Sequence, residues 1–414
     1  MPRVSLVPLE GDVEKTVEAL LTEYKVDPEE EAFVKINAVD FRKGCYTSPE
    51  IIEATIKALK NLGAGKVYVM ENSTQGNFTR LVFKVTGIGR AIKKAGGKPI
   101  YLDEEKSVKV EIGDFKVDFP KIVYESIVEG GSFYLSLPKL KTHDMTTVTL
   151  NLKNQFGFIY HKDRRVHHSK FELHRFIASI YDFIKPDFSI VDGKFATIHG
   201  HYPLERMFDK YILPMNLLIA GDDALAVDIV AARLLGYDVG EIEHLKIAEE
   251  RYRVEGEIEI TGDFERYRVE RQPYTPLGIY PEGVEFVKGR ELACREGCVD
   301  NTLMVLEMLH VDYGGEGDFT IVFGKGFDDL DGLKPPVLVV GKCAVEEVGE
   351  ELKRKYGDVI LIPYCNDLAA VTEALMKLMK IKATQIVPVS TLELIIEWIK
   401  AKIHGSTSRT PSLF

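Results

Sequence analysis

The sequence predicts an α/β protein of two domains, each with a parallel or mixed sheet flanked by helices. Three observations carry this expectation. The 414 residues suffice for two cores of ordinary size. Strand-like and helix-like apolar periods alternate through the first half, the pattern of repeated strand–helix–strand units. After a charged stretch broken by Pro273, Pro276 and Pro281, the alternation starts again. The expected division is an N-terminal α/β domain over 1–275 and a smaller, doubly wound domain over 276–414.

In the first domain, Phe33–Val39 reads as a strand, and Thr47-Ser48-Pro49-Glu50 opens the helix behind it. Ser48 is placed to accept from first-turn amides, and Pro49 stands where a missing N–H costs nothing. Gly63 ends that helix. Lys66–Met70 is the next strand, and a helix runs from Thr79 to Ala95 until Gly96-Gly97 stops it. Phe133–Leu137 and Thr146–Leu150 read as extended runs joined by a loop, Pro138–His143. A helix from Phe171 to Ile184, a strand Phe188–Val191 and a helix Ala224–Leu235 follow. In the second domain Phe319–Phe323, Val337–Val340 and Val359–Ile362 are strands with helices between them, and a last helix spans Leu392–Ile403.

A net charge of −11 describes an acidic, self-repelling surface and excludes general nucleic-acid binding. No stretch approaches the roughly 20 apolar residues of a membrane span, and no apolar signal core follows Met1-Pro2-Arg3, so no membrane partner and a cytoplasmic location are expected. Only four glutamines beside abundant Lys and Glu lean toward a thermophilic source. Oligomeric state has no signature in the sequence.

Against this acidic background, Lys139–Arg175 holds eight Lys/Arg and five His but three acids. Positive charge gathered in a cleft raises the local concentration of carboxylates or phosphates, so the segment reads as a site for a small anionic metabolite. Lys139, Lys141 and Lys153 would be anion ligands or proton donors, and His143, His161, His167 and His168 proton carriers or metal ligands. Lys139 and Lys141 are two apart and share a face if extended. Asn151, Lys153 and Asn154 would close a Thr-rich strand beside Gly157, where backbone could approach a ligand. The competing reading is a solvated basic face with a few core histidines. Asp192-Gly193 ends a strand at the expected ligand edge, which adds Asp192 as a candidate. Thr86–Arg90 looks like part of a dinucleotide fingerprint but lies within a helical pattern. Asp222, Asp223 and Asp228 could bind a cation, although an ordinary helix cap explains them better.

Four of the five cysteines lie late in the chain: Cys294 and Cys298 before a helix, Cys343 and Cys365 each after a strand. The carboxyl edge of an open α/β sheet is where ligands bind, so four thiolates there could hold an iron–sulfur cluster or a zinc ion. Disulfides remain an alternative in a thermophile. Cys45 stands apart and reads as a packed small residue.

Taken in order, Lys35-Ile36-Asn37, Thr47-Ser48-Pro49-Glu50, Leu137–His143, Asn151-Leu152-Lys153-Asn154 with Phe156-Gly157, Pro186-Asp187, Val191-Asp192-Gly193 and Ala220–Asp228 resemble the domain-of-unknown-function family 362, often described as iron–sulfur-associated. The resemblance implies a pocket that adds Asn37 to the candidates, but no reaction. The chain departs from the family's pattern at Ala196–Pro203, where His199 and His201 replace an expected acidic, glycine-rich run. His199 therefore joins the substrate-binding candidates. A remoter similarity is to nickel-pincer lactate racemases; it implies Lys153 as a cofactor attachment point, His167 or His168 near a nickel ion and His143 as acid/base. Three functions follow as expectations: an enzyme acting on a small anionic metabolite with a metal or iron–sulfur centre, a non-catalytic iron–sulfur electron carrier, or a 2-hydroxy acid racemase or epimerase.

Overall fold

The computed structural model describes residues 1–74 and 76–409. Its fold is mixed α/β, with two sheets flanked by helices and a separate hairpin. Ten strands share the first sheet: β1 (Arg3–Pro8), β2 (Glu31–Ile36), β3 (Lys66–Glu71), β4 (Lys98–Tyr101) and, after the hairpin of β5 (Ser107–Ile112) and β6 (Phe115–Pro120), β7 (Phe133–Leu137), β8 (Lys139–His143), β9 (Thr147–Val148), β10 (Phe188–Thr197), β11 (Ile212–Gly221) and β12 (Glu259–Thr261). The main order is β12-β1-β11-β10-β7-β2-β3-β4, with β8 and β9 branching from β10. Strands β10, β7, β2, β3 and β4 run parallel. Both faces are covered, so alternate residues of β2 enter different cores: Phe33 one, Ala32, Val34 and Ile36 the other.

From β2 the chain winds outward to β3 and β4, then returns to place β7 on the opposite side of β2. That reversal is a topological switch point, and the carboxyl ends of the strands on either side of such a point are where open α/β sheets bind ligands.

The second sheet is wholly parallel: β13 (Val284–Lys288), β14 (Phe319–Phe323), β15 (Val337–Val340) and β16 (Val359–Ile362), in chain order. Chain order means no reversal point, so this sheet is not doubly wound.

Several local expectations need correction. Pro138–His143 is not a loop: Pro138 only interrupts the path, and Lys139–His143 forms β8 by pairing with β10 and β9. The run Thr146–Leu150 is strand only at Thr147–Val148, and a short helix, Leu150–Asn154, follows. Its cause is remote: the Asp228 carboxylate accepts the amides of Asn151 and Leu152, each at 2.8 Å, and so caps the helix from 76 residues away. The helix expected over 79–95 is two, Thr79–Val85 and Ile88–Lys94, divided where Gly87 adopts φ +79°. Ser48 does not cap the helix Pro49–Asn61 with its side chain; its own amide donates to Asp192 at 2.7 Å. Asp223 does cap its helix, accepting from Ala226 at 2.9 Å. Strand β1, the edge strand β12 beside it and the β5–β6 hairpin went unread.

Candidate active site

Strands β2, β3 and β7 end around one buried ion pair. Lys35, on the Phe33 face of β2, donates to Glu71 Oε1 at 2.6 Å, to the Ile36 carbonyl at 2.9 Å and to Asn154 Oδ1 at 3.3 Å. The other oxygen of Glu71 accepts the Ala38 amide at 2.6 Å. Asn37 Nδ2 donates to the same Asn154 oxygen at 3.1 Å. Burial lowers the pKa of Lys35 and the Glu71 carboxylate opposes that shift. Gly157 backs the pair so closely that a β-carbon there would stand 2.8 Å from Lys35 Nζ and 3.0 Å from Glu71 Oε1. The Gly157 backbone thus closes on an ion pair of the protein rather than on a ligand. Arg164 locks the same corner, donating to the carbonyls of Ile159 (2.6 Å), Gly157 (2.8 Å) and Asn72 (3.1 Å). Lys35, Glu71 and Arg164 were missed as site residues, although an acid ending the apolar run of β3 is a visible oddity.

Two further lysines near this pair are less committed. Lys141, in mid-β8, is 0% exposed, and its Nζ has no hydrogen-bond partner among the described residues. Burial lowers its pKa to about 8. Lys153 lies half-buried with its Nζ 4.7 Å from the centre of the Phe156 ring. Burial, then the positive charges of Arg164 and Lys141, bring it to about 7. Amines that titrate near neutrality can bind an anion when protonated or accept a proton when free. Lys139 does neither: it donates to Asp192 at 3.0 Å, and Asp192 also receives the amides of Ser48 and Lys194. This pair ties β8 to β10. Asn151 is likewise structural, its amide and side chain both donating to Asp228.

The histidines divide. Buried His161 meets the Ser73 carbonyl at 2.9 Å through Nε2, and burial lowers it to about 3. His168 meets the Glu296 carbonyl at 2.5 Å; burial, then the Lys153 charge, lower it to about 3. His167 packs edge-on against Phe115 and Phe176 beside Glu172, in an aromatic cluster. His199 stacks on Tyr211 with ring centres 4.4 Å apart. His143, at the end of β8, stacks on His201, with ring centres 4.0 Å apart, and both reach Asp144. Burial, then the neighbouring His201, lower His143 well below its ordinary value. His174 and His244, also unread, form a second buried pair with Nδ1 atoms 3.3 Å apart.

All five cysteines are unpaired thiols. The four late ones converge. A β-carbon on Gly297 would lie 3.0 Å from Cys294 Sγ and 3.6 Å from Cys365 Cβ, and one on Gly341, two residues before Cys343, would lie 3.0 Å from Cys298 Sγ. Burial, then Cys294 and Cys365, raise Cys298. Burial brings Cys365 to about 11. Yet among the described residues no three of these sulfurs lie within 4.8 Å of one another. The loops that carry them touch the histidine and lysine region: Glu296 through His168, Arg295 through Thr147 Oγ1 at 3.1 Å, and Asn366 through Met145 Sδ at 3.7 Å.

Residues 33–233 match the family model described as domain of unknown function, DUF362. This segment is a DUF362 domain. It contains β2 from Phe33 onward, β3 and β7, and with them Lys35, Lys141, Lys153 and His143. A thylakoid-associated protein of Synechocystis sp. is 25% identical over 211 residues, which cover 48% of this chain and 60% of that protein. Among solved structures, a protein from Thermotoga maritima aligns with 88% of this chain and 84% of its own at 11% identity, with a TM-score of 0.34. Among the described residues, no helix in or beyond the DUF362 segment is long and apolar enough to cross a membrane.

Proposed function

We propose that the chain is an enzyme acting on a small anionic metabolite, bound in the crevice beyond β2 and β7 by Lys141 and Lys153. The observation that carries this reading is Lys141, a fully buried ammonium donor without a hydrogen-bond partner among the described residues. A buried cation left unpaired is costly, and an anionic substrate would complete it. Lys153, titrating at about 7, is suited to take or give a proton once the substrate is held. The Lys35–Glu71 pair and Arg164 form the rigid floor and take no part in proton transfer.

The four thiols suit an iron–sulfur cluster better than one zinc ion. A tetrahedral zinc with Zn–S of about 2.3 Å holds its sulfurs roughly 3.8 Å apart. In a [4Fe–4S] cluster each thiolate bonds a different iron, which agrees with sulfurs that converge without crowding. Bound there, the cluster would supply electron transfer or a Lewis-acidic iron. The contacts of its loops with His168, Thr147 and Met145 favour an enzyme over a carrier whose centre stands apart. Unpaired thiols suit a reducing compartment, and the cytoplasm is the proposed location.

The test is a thermal-shift screen of anaerobically purified protein with 2-hydroxy acids, 2-oxo acids and inorganic phosphate, alongside iron and sulfide analysis. At least one anion should stabilise the protein, and Lys141→Met should abolish that response. Iron and sulfide without a response to any anion would leave the carrier reading.

A further inference from the structure

We infer that His143, Asp144 and His201 form a binding site for one divalent transition-metal ion, separate from the four thiols. One ligand atom from each residue lies within 4.8 Å of the others, and all three side chains are buried. Asp144 Oδ1 contacts Nδ1 of both imidazoles. Its other oxygen, Oδ2, is buried and has no hydrogen-bond partner among the described residues. Half of a carboxylate is thus left unsatisfied at a position with 0% exposure, a cost that a bound cation would remove.

The hydrogen bonding adds a second argument. His143 Nδ1 lies 3.1 Å from the Met145 amide, from which it can accept when it carries no proton. The same nitrogen faces Asp144 Oδ1 at 3.1 Å, to which it can donate only when it carries the proton. One nitrogen cannot accept from the amide and donate to the carboxylate at once, so either tautomer leaves one of the two without its partner, a conflict that a cation on Asp144 would relieve.

Two imidazoles and one carboxylate suit zinc, cobalt, manganese or iron(II), and leave coordination positions open for a substrate oxygen. The imidazole planes are 7° from parallel and stacked, an arrangement in which both lone pairs cannot point at one ion. Binding therefore requires one ring to turn. His201 is the one to do so: it follows Gly200, at φ +73°, in an irregular stretch after β10, whereas His143 ends a paired strand. This assignment does not rest on the anion-binding reading.

Titration of Co²⁺ into chelator-treated, full-length protein under anaerobic conditions tests it. One equivalent should bind with weak d–d absorption and no sulfur-to-metal charge transfer, separating nitrogen and oxygen ligands from thiolates. His201→Ala and Asp144→Asn should each weaken this binding by about tenfold or more, while Cys298→Ser should leave it intact. Absence of a sulfur-free Co²⁺ site in the wild-type protein would overturn the assignment, whatever the variants do. So would a site that survives both His201→Ala and Asp144→Asn.

Discussion

Lys35 and Glu71 meet at 2.6 Å with almost no exposure to solvent, near the carboxyl ends of the neighbouring parallel strands β2 and β3. Glu71 also accepts the amides of Ala38 and Asn72, at 2.6 and 2.7 Å, so its lone pairs are well used. Removing one partner of such a pair strands a buried charge, which costs more than the pair itself contributes. Lys35→Met should therefore lose about 3–5 kcal/mol of stability in denaturant unfolding. Adding Glu71→Gln should recover part of that loss, because the amide keeps an acceptor for Ala38 and discards the uncompensated charge. A double variant destabilised by the full sum of the single effects would show that the two residues are not coupled.

Gly157 carries a second expectation. Its missing β-carbon leaves the space that Lys35 Nζ and Glu71 Oε1 occupy. Gly157→Ala must push a hydrogen-bonded ion pair aside, and overpacking of this kind costs about 1–3 kcal/mol. A variant melting at the wild-type temperature would mean that the floor of the crevice is looser than these distances imply.

Anion binding should be linked to protons. Lys153 titrates at about 7 and Lys141 at about 8, so at pH 8 the first is mostly neutral and the second half protonated. A bound anion stabilises the protonated amines and raises both values, so binding at pH 8 draws protons from solution. Affinity should fall as pH rises above 8. Calorimetry with the most stabilising carboxylate of the screen, in two buffers of different ionisation enthalpy, reads the uptake directly. Proton release, or none, would contradict the lysine assignment.

The fold class was legible because parallel strands buried on both faces leave long apolar runs, as in β2, β7, β14 and β15. The unusual charge of a Lys/His-rich segment in an acidic chain is what marked Lys141, Lys153 and His143 as candidates. Partners distant in sequence were not legible. Lys139 resembled Lys141 in the chain, and only the Asp192 carboxylate, brought alongside by β10, makes it structural. Asn151 looked like a ligand because Asp228, which caps its helix, lies 77 residues away. His167 shared the cluster's composition, yet its helix turns it toward Phe115 and Phe176. His201 was visible only as a departure from a family pattern, and its meaning depends on Asp144, which no periodicity marks.

The central claim is that two lysines lie in a sheltered crevice where burial and neighbouring cations weaken their hold on a proton. Titration of ¹³C-dimethylated lysines by NMR, with Lys141→Met and Lys153→Met to assign the resonances, measures this directly. The account predicts values near 7 for Lys153 and near 8 for Lys141. Two amines titrating at the ordinary lysine value of about 10.4 would contradict it.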